Sequence, residues 1–195
     1  MPKMILASAS PRRREMLTLF SFPLEIDAPV VDETPIPGLA PAALAEMLAE
    51  RKGSSVVGRR GDGDPVIAAD TVVVSGGELL GKPRDTEDAE RMLRLLSGTD
   101  HEVVTGVALW WRGKKQVFSV TSTVTFKSLK EKEISDYIAT GEPMDKAGAY
   151  AIQGIGGFMV RSVTGSVSNV VGLPIAEVIA ALQEMGFLRG LTIYT

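Results

Sequence analysis

Cysteine is absent from this chain, so no disulfide framework and no thiolate chemistry is available to it. The absence fits a reducing compartment. Histidine occurs once, as His101, without a cysteine or second histidine to complete a ligand set. A zinc site is therefore not expected, and His101 reads as an ordinary polar strand residue. No elbow motif places a serine for it to activate, which argues against serine-protease-like chemistry with Ser8 or Ser10. No window approaches 18 uninterrupted apolar residues, and the apolar stretch near Met4 is far too short for a signal-peptide core, so a cytoplasmic protein without a membrane span is expected. The formal net charge is only −3 and no long basic run occurs, so stable nucleic-acid binding is not expected. There is no GxxxxGK[ST] loop, since Gly81-Lys82 runs into Pro83. There is no GxGxxG either, since Gly154-Ile155-Gly156-Gly157 lacks the spacing.

The 195 residues, with 45% hydrophobic and 23% charged side chains, fit one globular domain over residues 1–195. Strand and helix signals alternate. Met4 to Ala7 reads as a short strand, and Pro11 to Phe20 as a helix with Ser10 at its N-cap. Pro41 to Lys52 reads as a helix stopped by Gly53. Val66 to Val74 is a buried strand that turns through Ser75-Gly76-Gly77-Glu78, and Thr86 to Leu96 is a helix capped by Asp85. His101 to Trp111 and Gln116 to Phe126 form a long twisted hairpin. A helix over Glu131 to Thr140, a strand over Phe158 to Thr164 and a helix over Pro174 to Met185 follow. This mixture of βα units with a hairpin predicts an α/β fold, a mixed twisted sheet with flanking helices.

Two segments carry the strongest chemical signal. In Leu6-Ala7-Ser8-Ala9-Ser10-Pro11-Arg12-Arg13-Arg14 a strand passes through a hydroxyl-rich turn into a helix that begins with three arginines. Cations in a first helical turn oppose the helix dipole. A bound polyanion reverses that penalty, because backbone amides, hydroxyls and guanidiniums then converge on it; the alternative is a solvated basic helix start. In Pro65-Val66-Ile67-Ala68-Ala69-Asp70-Thr71-Val72-Val73-Val74 one carboxylate interrupts an apolar strand. A buried carboxylate is costly unless paired, hydrogen-bonded or bound to metal; the alternative is a strand that emerges into solvent at Asp70, which the continuing valines disfavour.

Weaker candidates surround these. Lys52, Lys82 and Lys146 are possible phosphate ligands, although each has an easy reading as a surface or helix-end lysine. Asp32, Glu33 and Asp145 are acids that could join Asp70 around a magnesium ion, which prefers oxygen ligands. Gln153, in a glycine-rich stretch, offers both a donor and an acceptor to a base edge.

Taken together, Leu6-Ala7-Ser8-Ala9-Ser10-Pro11-Arg12-Arg13, Ala68-Ala69-Asp70-Thr71, Gly81-Lys82-Pro83, Leu96-Ser97-Gly98 with His101, Asp145 to Tyr150 with Ile152-Gln153-Gly154, and Asn169 to Pro174 occur in the order seen in the Maf-type nucleoside triphosphate pyrophosphatases. Each segment alone is weak; the ordered set, spread from residue 6 to residue 174, is specific. The resemblance implies an elongated Maf/ITPase-like fold, a homodimer, a divalent metal (Mg²⁺ or Mn²⁺), and hydrolysis between the α- and β-phosphates. It implies that Asp70 is the general base, that Ser8, Arg12, Arg13, Lys52 and Lys82 bind the triphosphate, and that Glu33 and Asp70 lie at the metal. Arg12, Thr71 and Gln153 resemble the branch that acts on dTTP and UTP and keeps unwanted nucleotides, modified pyrimidine nucleotides included, out of nucleic acid. The rivals are a branch preferring methylated GTP, against which Thr71 speaks, and a nucleotide-binding regulator of septum formation without turnover. An internal carboxylate repels polyphosphate unless metal bridges them, so Asp70 favours the enzyme. Two positions depart from the pattern: Gly53 replaces an alanine and Val167 an aromatic residue.

Overall fold

The computed structural model describes residues 3–34, 36 and 38–188. Its strands form one mixed seven-stranded sheet in the order β2-β1-β3-β5-β6-β7, with β4 paired to β3, and helices flank it. The strands are β1 (Met4–Leu6), β2 (Leu24–Ile26), β3 (Val66–Ser75), β4 (Glu78–Leu80), β5 (Asp100–Trp111), β6 (Lys114–Phe126) and β7 (Val160–Thr164). The helices are α1 (Pro11–Thr18), α2 (Pro41–Arg60), α3 (Thr86–Leu96), α4 (Glu131–Ala139), α5 (Val167–Val171) and α6 (Ile175–Glu184). β1 runs parallel to both β2 and β3, whereas β3–β4 and β6–β7 are antiparallel.

The chain divides into two compact units: Met1–Asp70 with Thr105–Val120 and Gly172–Thr195, and Thr71–Val104 with Thr121–Val171. The boundary falls within three strands, β3, β5 and β6. Each unit is assembled from separate stretches of chain, a partition that length and composition do not address.

In the first unit a core of Ile5, Ala7, Ala49, Val56, Val66, Ala68, Ala108 and Trp110 fills the space beside α2. The helix presses close to β5: a Cβ on Gly106 would lie 2.2 Å from the Ala45 carbonyl carbon. Only glycine permits that approach. Gly53 does not stop α2, contrary to expectation; the helix continues to Arg60 and ends at Gly61, whose φ is +74°. Its buried stripe, Leu44, Ala45, Leu48, Ala49, Lys52, Gly53 and Val56, keeps helical spacing straight through the glycine. Burial of Val56, and pairing of Arg59 with Asp27 at 2.6 Å and of Arg60 with Glu25, outweigh the roughly 1 kcal/mol that one interior glycine costs a helix. The connection from α2 to β3 is accordingly short, residues 61–65. β2 escaped the sequence reading because three residues on a parallel edge show no periodicity.

The second unit has its own core, built from Val73, Leu80, Met92, Leu93, Leu96, Phe126, Ile134, Tyr137, Tyr150 and Met159 among others. Asp85 caps α3 as expected, its Oδ1 accepting from the Asp88 amide at 2.8 Å. β3 and β4 meet through the expected turn, Ser75 opposite Glu78. Residues 155–159 form a 3₁₀ turn before β7, so that strand begins at Val160 rather than Phe158. α5, five residues long, was not foreseen. Val167 opens it and is exposed. No helix among the described residues is long and apolar enough to cross a membrane.

Candidate functional site

The first unit holds six of the site residues expected from sequence: Ser8, Arg12, Arg13, Glu33, Lys52 and Asp70. β1 ends at Leu6 and the chain turns through Ala7-Ser8-Ala9-Ser10 before Pro11 opens α1. The Ser8 hydroxyl accepts from the Ser10 amide at 3.2 Å and from Arg13 Nη1 at 3.2 Å. Ser10 occupies the N-cap with an extended backbone, yet its side chain makes no cap bond; Ser8 organises the turn instead. The three arginines separate by helical position: Arg13 is buried, Arg12 half-buried and Arg14 exposed. Arg13 Nε donates to the Gly172 carbonyl at 2.7 Å. Burial pulls the Arg13 pKa below its usual value, opposed by Asp70, reinforced by Arg12 and opposed again by Glu33. An arginine so placed still carries its charge at neutral pH.

β3 brings Asp70 into the same unit as a buried residue, not one emerging into solvent. Lys52, on the buried stripe of α2, places Nζ 2.6 Å from Asp70 Oδ1 and 3.0 Å from Glu33 Oε2. Its own side chain and that of Asp70 are about nine-tenths buried, whereas the Glu33 side chain is 55% exposed. Lys52 is therefore no helix-end lysine; it is a buried ammonium shared by two carboxylates. Asp70 Oδ2 has no hydrogen-bond partner among the described residues. The arrangement alternates sign, with Arg13 and Lys52 cationic and Asp70 and Glu33 anionic. It can hold a carboxylate oriented toward a reacting water beside groups that attract phosphate.

Asp32 uses its carboxylate locally, accepting from the Thr34 amide at 2.9 Å and the Thr34 hydroxyl at 2.6 Å. Asp145 in the second unit pairs with Lys146. Among the described residues no group of three or more His, Asp or Glu side chains that could hold a metal ion forms.

The remaining expected residues belong to the second unit. Thr71 follows Asp70 on β3 and is half-buried. Lys82 lies just past β4, exposed and without an ion pair among the described residues. Gln153 is exposed and without a hydrogen-bond partner among the described residues. His101 is buried, with Nε2 2.8 Å from the Tyr150 hydroxyl and its ring edge-on to Phe126.

Sequence reading missed the Gly172 carbonyl, because a backbone acceptor leaves no side-chain signature. It also missed the depth of Lys52. The i, i+3, i+4 spacing of Leu44, Ala45, Leu48, Ala49, Lys52 and Val56 was the available signal.

Comparison with known proteins places the chain in a family. The family model described as Maf-like protein matches residues 3–185. A protein of Anaeromyxobacter dehalogenans (strain 2CP-C) named dTTP/UTP pyrophosphatase is 50% identical over 190 residues, covering 95% of each chain. Proteins of the same name from Myxococcus xanthus and Geobacter sulfurreducens are 52% and 48% identical, over 94% and 95% of this chain and 92% and 98% of theirs. Among solved structures, a nucleoside-triphosphatase / dITP/XTP pyrophosphatase from Mycobacterium abscessus aligns with a TM-score of 0.45 at 17% identity, over 94% of this chain and 95% of that one. A match that begins before β1, ends after α6 and takes in Ser8, Arg13, Glu33, Lys52 and Asp70 on the way makes this chain a member of the Maf-like protein family.

Proposed function

We propose that this enzyme hydrolyses nucleoside triphosphates, dTTP and UTP first among them, to the monophosphate and pyrophosphate. The observation that carries the reading is the buried carboxylate of Asp70, held at one oxygen by Lys52 and without a hydrogen-bond partner at the other among the described residues. In the reaction a water oxygen bonds to the α-phosphorus as the bond to the α–β bridging oxygen breaks. Asp70 Oδ2 takes the water's proton and pyrophosphate departs. Positioning and electrostatics dominate such phosphoryl chemistry. Lys52 fixes the orientation of the base, and Arg13, anchored by Ser8 and Gly172, supplies a fixed cation that costs no reorganisation. Arg12 and Lys82, which lack carboxylate partners among the described residues, are assigned to phosphate oxygens. Thr71 and Gln153, with Arg12, are assigned to base selection.

The residues present also fit a divalent cation. Asp70 and Glu33 already converge on one positive charge, the Lys52 ammonium. Two carboxylates with water and substrate phosphate are the donor set that Mg²⁺ or Mn²⁺ takes. A metal bound there would neutralise charge on the phosphate oxygens. The 48–52% identity to proteins named dTTP/UTP pyrophosphatase over nearly the whole chain supports the choice of substrates. A homodimer working on cytoplasmic nucleotide pools completes the proposal, and light scattering on the purified protein tests the dimer.

The test of activity is incubation of the purified protein with Mg²⁺ or Mn²⁺ and a panel of canonical, modified and methylated triphosphates, with pyrophosphate and monophosphate both measured. Equal release of the two from dTTP and UTP, lost in Asp70→Asn, is expected. Orthophosphate in place of pyrophosphate, or no release from folded, metal-supplied protein, would refute the reading.

A further inference from the structure

In the second unit a carboxylate outside the proposed catalytic group is held by three donors. Glu142 opens the 3₁₀ turn Glu142–Asp145 after α4. Its Oε1 accepts from the Tyr137 hydroxyl at 2.8 Å and from the Gly156 amide at 2.9 Å, and its Oε2 accepts from the Ile155 amide at 2.9 Å. The Tyr137 hydroxyl in turn accepts from the Ala151 amide at 3.3 Å. Both ends of the segment from Ala151 to Gly156 are thus tied to one pair of side chains, and Gln153 lies between the ties.

The glycines of that segment record how tightly it is held. A Cβ on Gly154 would lie 2.3 Å from Glu142 Oε2, and one on Gly156 would lie 2.6 Å from the Tyr137 hydroxyl oxygen. Neither position has room for a side chain while the carboxylate and the phenol keep their places. Ile155 and Gly156 begin the 3₁₀ turn Ile155–Met159, and their amides have no donor role inside it; the carboxylate satisfies them. Gln153 itself is exposed and makes no hydrogen bond among the described residues. An amide side chain can tell one base edge from another only if its donor and acceptor are held in register. Here the register comes from the backbone anchors, since the side chain has none of its own.

We propose that Glu142, with Tyr137, is a positioning residue for base selection: it fixes the loop that presents Gln153 and so sets the discrimination between uracil or thymine and other bases without touching the nucleotide. The inference rests on the assignment of Gln153 to the base. Glu142→Gln keeps the shape of the side chain, but its amide nitrogen cannot accept from a backbone N–H, so one anchor is lost.

The experiment measures kcat and KM for UTP and CTP in four proteins: wild type, Glu142→Gln, Gln153→Ala and the double variant. Thermal unfolding of each is recorded alongside. Loss of one anchoring hydrogen bond is expected to raise KM for UTP about tenfold with kcat within about twofold, narrowing the UTP-to-CTP ratio of kcat/KM. The double variant is expected to show the selectivity of Gln153→Ala alone, because a residue acting through another adds nothing once that other is gone. Additive effects on selectivity, or a uniform loss of turnover with the ranking preserved, would overturn the proposal and leave Glu142 a stability residue. An unchanged ranking in Gln153→Ala would instead overturn the base assignment beneath it. Tyr137→Phe, which removes one tie and keeps the ring, is expected to shift selectivity in the same direction and decides the matter if Glu142→Gln does not fold.

Discussion

A methyl group on Gly53 would lie 1.9 Å from Cζ3 of Trp110, inside the ring's own van der Waals surface. The indole of β5 occupies the space that a side chain at this point of α2 would need. Gly53→Ala would ordinarily favour a helix by about 1 kcal/mol. Here it is expected to destabilise the protein by about 1–3 kcal/mol through overpacking. Urea unfolding of Gly53→Ala, Trp110→Leu and the pair checks this: alanine should cost stability beside tryptophan and recover it beside leucine.

Asp70→Asn keeps the size of the side chain but cannot accept a proton at neutral pH. Turnover is expected to fall by about 10²–10⁴-fold, the range for loss of a general base. Circular dichroism should show the fold retained, since Glu33 still faces the Lys52 ammonium. Activity within a few-fold of wild type would remove Asp70 from the role.

Lys52 holds the two carboxylates that a divalent cation would need. Lys52→Met removes the ammonium and leaves a stem of similar length on the buried stripe of α2. Manganese binding to the nucleotide-free protein, followed by electron paramagnetic resonance, is expected to tighten about tenfold or more, since an opposing charge has been taken from the site. Turnover is expected to fall at the same time, because the base loses its orienting partner. Weaker manganese binding in the variant would place the metal elsewhere.

His101 predicts a pH dependence of stability. Burial is the main influence on it and lowers its pKa from 6.5 to about 4, with Asp100 opposing weakly. Above pH 6.5 the ring is neutral in folded and unfolded chains alike and its contribution is flat. As pH falls from 6.5 toward about 4 the unfolded chain takes up a proton that the folded chain refuses, so stability is lost across that window and no further below it. The full loss is about 3 kcal/mol at one pKa unit per 1.36 kcal/mol. His101→Gln, which does not titrate, should show a shallower decline in urea midpoints between neutral and mildly acidic pH. Parallel curves for the two proteins would contradict the assignment.

Much of the fold was legible because its signals are local. β3 shows as an apolar run closed by Ser75-Gly76-Gly77-Glu78, and α3 shows as a periodic stripe opened by Asp85. Ser10 and Pro11 marked the start of α1, where the helix begins. Asp70 stood out as a charge where only apolar neighbours belong, and burial confirmed the anomaly. These readings need only propensity, spacing and the cost of a charge among apolar residues.

Other features depend on which distant residue fills a space. Gly53 looked like a helix stop, but α2 passes through it because Trp110, more than fifty positions away, takes the room a side chain would have used. Lys52 looked like a cation at a helix end. Its place on the buried stripe between Asp70 and Glu33 exists only once α2, β3 and the 32–34 turn are assembled. The Glu142 carboxylate gave no sequence signal at all, since its partners are a phenol and two backbone amides. The sequence by itself determined the longer elements, the candidate base and the family; the tertiary structure decided the short elements β2 and α5, the pairings of charge and the fit of glycine to tryptophan, because packing and Coulomb energies depend on distances that the chain acquires only when its remote segments meet.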